Sequence, residues 1–197
     1  YTGGSLDAMA GFPHIRKAHC MFGWDWGPRL PDAGIFRQVS LLGVRKSRLD
    51  SVYITQIHEE GKVTLDFDIA LELFEGKEKC AGNGTEEQDE KVRITVTDPD
   101  GAQVSVEDKT GVLPENQDYK IVLENPMLWW PKGYGAQPLY QVKVVLYDGQ
   151  EEVLDVWEQK IGLRTMTVNT DKDQWGNCFA HEVNGVKIFA MGADYIP

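Results

Sequence analysis

The sequence has few of the residues that build disulfide scaffolds or metal sites. Its 197 residues include three cysteines, Cys20, Cys80 and Cys178, and four histidines. The cysteines are odd in number, far apart and without a Cys-x-x-Cys pair, which argues against a disulfide framework and against a zinc site. The histidines show no metal-ligand spacing, so each is predicted to be a surface or core residue. We therefore expect no metal site from these residues.

The sequence also lacks an excess of positive charge and any long apolar run. Lysine and arginine number 20 against 31 acidic residues, for a formal charge of −11, whereas a nucleic-acid surface needs a basic patch. No apolar stretch approaches the roughly 20 residues that span a bilayer, and no signal peptide is visible. Neither nucleic acid nor a membrane is therefore expected as a partner.

What the sequence does contain is the alternation typical of β-strands. Between residues 63 and 73 apolar side chains occupy every second position, which predicts a strand with one buried face. Similar runs, separated by turn signals such as Asp98-Pro99-Asp100-Gly101 and Asp148-Gly149, give about seven short strands between residues 46 and 165. No amphipathic helix pattern occurs in that span. We therefore predict an all-β fold with an immunoglobulin-like β-sandwich.

The flanking segments are predicted to belong to neighbouring β domains. Residues 1–44 contain one further predicted strand, at 35–44, which is too little for a closed core. Near the other end, Asn184-Gly185 lies between two apolar runs, which is the strongest short hairpin signal. The segment 75–91, rich in Glu, Gly and Lys, is predicted to be a solvated loop.

The motif Gly23-Trp24-Asp25-Trp26-Gly27-Pro28-Arg29 carries the clearest functional signal. A carboxylate flanked by two indoles suits a sugar, because the CH-rich faces of a pyranose pack on aromatic rings while its hydroxyls donate to the acid. The glycines allow a tight turn and the proline restricts the backbone, which together aim these side chains. The alternative is structural, namely an ion pair between Asp25 and Arg29. Spacing alone favours that alternative, since structural ion pairs are common.

Four separated motifs resemble the β-mannosidases of the second glycoside hydrolase family. They are FGWDWGPRLP at 22–31, LWWPKGYGAQPLY at 128–140, IGLR at 161–164 and VNGVKIFAMGADYIP at 183–197. Their order and spacing match along nearly the whole chain. The resemblance implies three parts: the end of a jelly-roll sugar-binding-like domain (1–45), an immunoglobulin-like sandwich (46–165) and the start of a (β/α)8 barrel (166–197).

The resemblance also implies an activity, the retaining hydrolysis of terminal β-D-mannose residues by two glutamates. It implies no metal and no organic cofactor, because this carboxylate mechanism needs none. In the family both glutamates lie on later barrel strands, and no glutamate of this chain falls on either motif. The chain alone is therefore expected to have no catalytic residue and no activity. The pairs Glu59-Glu60 and Glu151-Glu152 are predicted to lie in solvent-exposed turns. Animal relatives are lysosomal and some bacterial ones are exported, while the scattered cysteines favour a reducing cytoplasm.

What the chain can contribute, according to the resemblance, is substrate binding. Asp25 matches the family aspartate that holds hydroxyls of the terminal sugar, Trp24 and Trp26 would line the pocket, and Arg29 would support Asp25 or its loop. Asp194 is a further candidate, although the family more often has asparagine at that position. The expected partner is a β-mannoside oligosaccharide or glycoconjugate.

Two other functions are compatible with the same residues. One is a non-catalytic β-sandwich module that binds carbohydrate or spaces its neighbours. The other is a hydrolase of the same family acting on a β-galactoside, β-glucuronide or glucosaminide, although the Trp-Asp-Trp-Gly-Pro-Arg form favours mannosides. Trp129 and Trp130 are predicted to pack in the core or at a domain interface, and Arg164 to pair across the junction with the barrel.

Overall fold

The computed structural model describes residue 9 and residues 11–44, 46–74, 90–110 and 119–195. The chain divides into two compact units, one formed by residues 1–42 and 190–197 and the other by residues 43–189. The predicted loop at 75–91 lies outside the described residues except for its last two positions. Within the described ranges, no helix is long and apolar enough to cross a membrane.

Seven strands of the larger unit form a sandwich of two antiparallel sheets. They are β1 (Ser47–Glu59), β2 (Lys62–Leu73), β3 (Lys91–Thr97), β4 (Gln103–Thr110), β5 (Tyr119–Glu124), β6 (Tyr140–Tyr147) and β7 (Val153–Ile161). One sheet has the order β1-β2-β5 and the other the order β4-β3-β6-β7. This arrangement confirms the predicted all-β class and the immunoglobulin-like sandwich of about seven strands.

The core of the sandwich is built from side chains that alternate along the strands. In β2 the inward residues Val63, Leu65 and Phe67 are buried, while their neighbours are partly or fully exposed. The facing sheet contributes a matching set, Val92, Ile94, Val96, Val142, Val144 and Leu146. Because each buried side chain of this kind contributes about 1.5–3 kcal/mol, these two inner faces are the main source of stability in the unit.

Two hairpin turns of the four-stranded sheet are stabilised by the same aspartate arrangement. Oδ1 of Asp98 accepts hydrogen bonds from the backbone N–H groups two and four residues further on, at 3.0 and 2.8 Å. Oδ1 of Asp148 does the same, at 2.9 Å for both bonds. An aspartate side chain can satisfy turn amides in this way, which is why the sequence pattern locates both turns correctly.

One strand prediction was wrong. The described backbone at 35–44 forms no strand, and Phe36 and Leu41 are 87% and 100% exposed. Apolar residues favour a strand only where a partner strand pairs with them. Strand β7 ends at Ile161 and a separate strand β8 (Met166–Asn169) follows, because the backbone of residues 162–165 bonds to other segments.

A small third sheet follows the sandwich within the same unit. It consists of β8, β9 (Ala180–Val183) and β10 (Val186–Lys187), in the order β10-β9-β8. Asn184 and Gly185 connect β9 to β10 with φ angles of 51° and 76°. Two successive positive φ values are what a two-residue hairpin turn of type I′ requires, so the predicted hairpin is confirmed.

The buried phenol of Tyr119 makes a prediction about alkaline stability. Burial raises the pKa of Tyr119 from its ordinary value of 10.0 to about 12, because a phenolate is poorly solvated there. The folded protein keeps this phenol protonated at pH values where the unfolded chain already ionises it. The unfolding free energy is therefore unaffected by this group below pH 10 and falls as the pH rises from about 10 to 12. We expect Tyr119→Phe to flatten the fall in unfolding free energy over that range, as measured by urea unfolding at several pH values. If the unfolding free energy of Tyr119→Phe fell as steeply with pH as that of the wild type, the raised pKa of Tyr119 would be contradicted.

Candidate functional site

The Trp-Asp-Trp motif forms a tight turn in the smaller unit. The backbone N–H of Trp24 donates to the carbonyl of Gly27 at 3.4 Å, and the N–H of Gly27 donates to the carbonyl of Trp24 at 3.3 Å. A third bond, from the N–H of Leu30 to the carbonyl of Met21 at 3.0 Å, continues the same ladder. Asp25 and Trp26 are therefore the two residues at the tip of a hairpin-like loop.

Three aromatic rings pack beside this turn and hold one of its indoles. The ring of His19 stacks on Phe12, with centroids 4.0 Å apart and planes inclined by 4°. Trp24 meets the same imidazole edge-to-face at 5.2 Å and 87°. Phe22, which is buried, contacts Phe12 at 6.4 Å. The contact with His19 therefore restrains the Trp24 indole in addition to the backbone bonds of the turn.

The tip of the turn faces solvent. The side chain of Asp25 is exposed, and Trp24 and Trp26 are 43% and 57% exposed. An exposed carboxylate between two half-exposed indoles can accept hydrogen bonds from a ligand while the indoles cover an apolar ring face. This is the arrangement that a polyhydroxylated ligand needs.

The other predicted site residues belong to the same compact unit. Arg29 follows the turn by two residues and is exposed, and its pairing with Asp25 stays a prediction. Asp194 is also exposed and lies in the 190–197 segment that clusters with residues 1–42. The structure therefore assigns Trp24, Asp25, Trp26, Arg29 and Asp194 to one unit.

Two acidic pairs and one cleft in the larger unit lie apart from the predicted site residues in the described part of the chain. The Glu59-Glu60 and Glu151-Glu152 pairs lie exposed at turns, as predicted. In the described ranges, no group of three or more His, Cys, Asp and Glu side chains could hold a metal ion. A cleft of about 380 Å³ in the larger unit is lined mainly by the end of β5 and the segment after it, residues 122–127, with Asp98, Val104 and Tyr140. It contains none of the predicted site residues.

Trp129 and Trp130 each pack against a glycine in the larger unit. A Cβ atom placed on Gly162 would lie 2.8 Å from Cγ of Trp129, and one placed on Gly135 would lie 2.8 Å from Cγ of Trp130. The guanidinium of Arg164 lies 4.5 Å from the ring centroid of Trp129, a cation–π distance. The two half-buried indoles therefore pack against glycines, and Arg164 stacks on Trp129. Their place in the core or at a domain interface, and the pairing of Arg164 across the junction with the barrel, stay predictions.

Asn184 links the third sheet to the sandwich. Its Nδ2 donates to the carbonyl of Trp129 at 3.0 Å, and its Oδ1 accepts from the N–H of Thr165 at 3.0 Å. Nearby, the hydroxyl of Tyr134 accepts from the N–H of Phe189 at 2.9 Å. The sequence pattern identified Asn184 as a turn residue but gave no sign of this second role, because the partners are 19 and 55 residues away.

We expect Asn184→Asp to destabilise the larger unit although aspartate tolerates a positive φ. The carboxylate keeps an acceptor for Thr165 but faces the Trp129 carbonyl with a second oxygen, which cannot donate. A carbonyl oxygen that loses its donor and faces another oxygen lowers the unfolding free energy by about 1–3 kcal/mol. Urea unfolding at pH 7 measures the effect, and Asn184→Gly, which keeps the turn and removes both bonds, is the matched comparison. An aspartate variant as stable as the wild type would contradict the linking role.

Comparison with protein families matches most of the chain. The family described as "Glycosyl hydrolases family 2" matches residues 47–164. The description "Glycosyl hydrolase 2 galactose-binding domain-like" matches residues 4–37, which contain the Trp-Asp-Trp turn. The two matches together include the sandwich and the Trp-Asp-Trp turn.

Individual relatives are similar along nearly the full chain. "Beta-mannosidase B" of Aspergillus clavatus is 33% identical over 189 residues, which cover 93% of this chain and 20% of the relative. The crystal structure of a β-D-mannosidase from Dictyoglomus thermophilum has a TM-score of 0.79 at 31% identity, over 99% of this chain and 23% of that one. A β-glucuronidase from Parabacteroides merdae shares the fold at 16% identity, with a TM-score of 0.51 over 73% of this chain and 16% of that one. The chain spans about a fifth of the length of the curated relatives it matches.

Proposed function

Because the chain belongs to glycosyl hydrolases family 2, we propose that it forms part of a retaining, exo-acting β-mannosidase. One observation carries this proposal: an exposed carboxylate between two half-exposed indoles lies on a chain that is similar to β-mannosidases over 93% of its length. The proposed substrate is the terminal β-D-mannose of an oligosaccharide or glycoconjugate. The two catalytic glutamates of the family are proposed to lie on barrel strands outside these residues.

The role of this chain in the reaction is to bind the terminal sugar. Asp25 is proposed to accept hydrogen bonds from hydroxyls of the mannose. Trp24 and Trp26 are proposed to cover its apolar face and to exclude water, which strengthens the bonds to Asp25. Asp194, in the same unit, is a second candidate for a hydroxyl contact, and Arg29 is proposed to support Asp25 or its loop.

A substrate panel tests the proposal on the full-length protein. We expect hydrolysis of 4-nitrophenyl β-D-mannoside with a kcat/KM at least about a hundredfold above that for the matching galactoside, glucuronide and N-acetylglucosaminide. A site that hydrogen-bonds specific hydroxyls rejects sugars that present them differently by a factor of this order or more. Proton NMR of the first product should show β-mannose, as retention requires.

Two outcomes would contradict the proposal. A highest kcat/KM on one of the other three glycosides would assign the chain to a different hydrolase of the same family. Release of 4-nitrophenol by the separate chain of 197 residues would show that the catalytic groups lie within it.

A further inference from the structure

We propose that His19 is a positioning residue, which sets the orientation of the Trp24 indole for the sugar. This inference rests on the proposed function in one respect, that Trp24 contacts the sugar. That His19 orients the Trp24 indole is inferred from the ring geometry alone. His19 lies between Phe12 and Trp24, stacked on the first at 4.0 Å and edge-to-face with the second at 5.2 Å. All three rings belong to the same compact unit.

The contact is specific to one of the two indoles. In the described part of the chain, the ring contacts of the turn involve Trp24 and not Trp26. Trp26, at the tip, is the more exposed of the two. Trp24 is therefore the indole whose direction is set in advance, and His19 is the group that sets it.

His19 acts through its ring and not through a hydrogen bond of Nε2. Its Nε2 atom is buried and has no hydrogen-bond partner among the described residues. A buried polar atom without a partner is unfavourable, so Nε2 itself adds no stabilising hydrogen bond to this packing. A phenyl ring of similar width would stack on Phe12 and meet Trp24 in the same way. His19→Phe is therefore expected to preserve the orientation of Trp24, and His19→Ala is expected to lose it.

The orientation of Trp24 predicts a particular kinetic effect. An indole that covers a sugar face contributes similarly in the ground state and in the transition state, so freeing it raises KM and leaves kcat nearly unchanged. From the energy of an aromatic pair, we expect His19→Ala to raise KM about two- to tenfold. His19→Phe should restore most of this loss. His14→Ala replaces an exposed histidine of the same unit and is the matched control.

The experiment uses the full-length protein and two readouts. The first is KM and kcat on 4-nitrophenyl β-D-mannoside. The second is near-UV circular dichroism, in which the difference between the wild type and Trp24→Phe isolates the band of Trp24. That band should disappear in His19→Ala and persist in His19→Phe and His14→Ala. If His19→Ala does not fold, His19→Leu keeps the volume without a flat ring and should also lose the band.

The two readouts separate this inference from the proposed function. A Trp24 band that survives in both His19→Ala and His19→Leu would overturn the positioning role, whatever the kinetics. A wild-type protein that cleaves a different glycoside would overturn the β-mannosidase proposal alone. In that case the dichroism comparison, with KM measured on the glycoside that is cleaved, still decides the role of His19.

Discussion

Replacing Asp25 by alanine should lower kcat/KM on 4-nitrophenyl β-D-mannoside by roughly ten- to two-hundredfold in the full-length protein. A hydrogen bond from a sugar hydroxyl to a charged carboxylate is worth about 1.5–3 kcal/mol, which corresponds to a loss of that size. The turn itself should persist, because its backbone bonds between Trp24 and Gly27 do not involve the Asp25 side chain. Steady-state kinetics at pH 7 measures the effect.

The control for this variant is an aspartate that is exposed in a turn but remote in sequence. Asp100→Ala meets that requirement, since Asp100 is exposed at the β3–β4 turn and its side chain is not the one that satisfies the turn amides. Its kcat/KM should be unchanged. A loss below about threefold for Asp25→Ala, with an unchanged circular dichroism spectrum, would remove Asp25 from the sugar pocket.

Replacing Gly162 by alanine should destabilise the larger unit by about 1–3 kcal/mol, the usual cost of forcing a methyl group into a packed site. The added Cβ would lie 2.8 Å from Cγ of Trp129 and 2.9 Å from Cδ1. The indole has little freedom to retreat. The guanidinium of Arg164 lies 4.5 Å from its ring centroid, and the backbone N–H of Trp129 donates to the Leu163 carbonyl at 2.8 Å.

Urea unfolding followed by tryptophan fluorescence measures this loss. Gly43→Ala is the matched control, because a Cβ there meets nothing within 4 Å and the backbone is not in the positive-φ region. It should change the unfolding free energy by less than about 0.5 kcal/mol. Equal unfolding midpoints for Gly162→Ala and Gly43→Ala would contradict the close contact with Trp129.

The sandwich could be predicted from the sequence because its strands have both alternation and partners. Val63, Leu65 and Phe67 alternate with polar residues and do face the core. The segment at 35–44 has apolar residues as well, yet it forms no strand. Alternation states which face a strand would bury, but pairing depends on neighbours that the segment's own residues do not specify.

The candidate site could be predicted only in part. Residue type drew attention to Trp24, Asp25 and Trp26, although spacing alone favoured a structural ion pair. Their role in sugar binding comes from the family resemblance and stays a proposal. The support from Phe12 and His19 could not be predicted. These rings meet through two short 3-10 turns, Phe12–His14 and His19–Phe22, and turns of that length leave no periodic pattern in a sequence.

The bond network around Asn184 has a consequence for how the larger unit unfolds. Strands β9 and β10 share only two cross-strand residue pairs, and an isolated hairpin is marginally stable in water. The bonds of Asn184 to Thr165 and Trp129 tie this hairpin to segments beside the sandwich. The hairpin should therefore not fray ahead of the rest, and its amides should exchange with solvent in the same cooperative opening as those of β6 and β7.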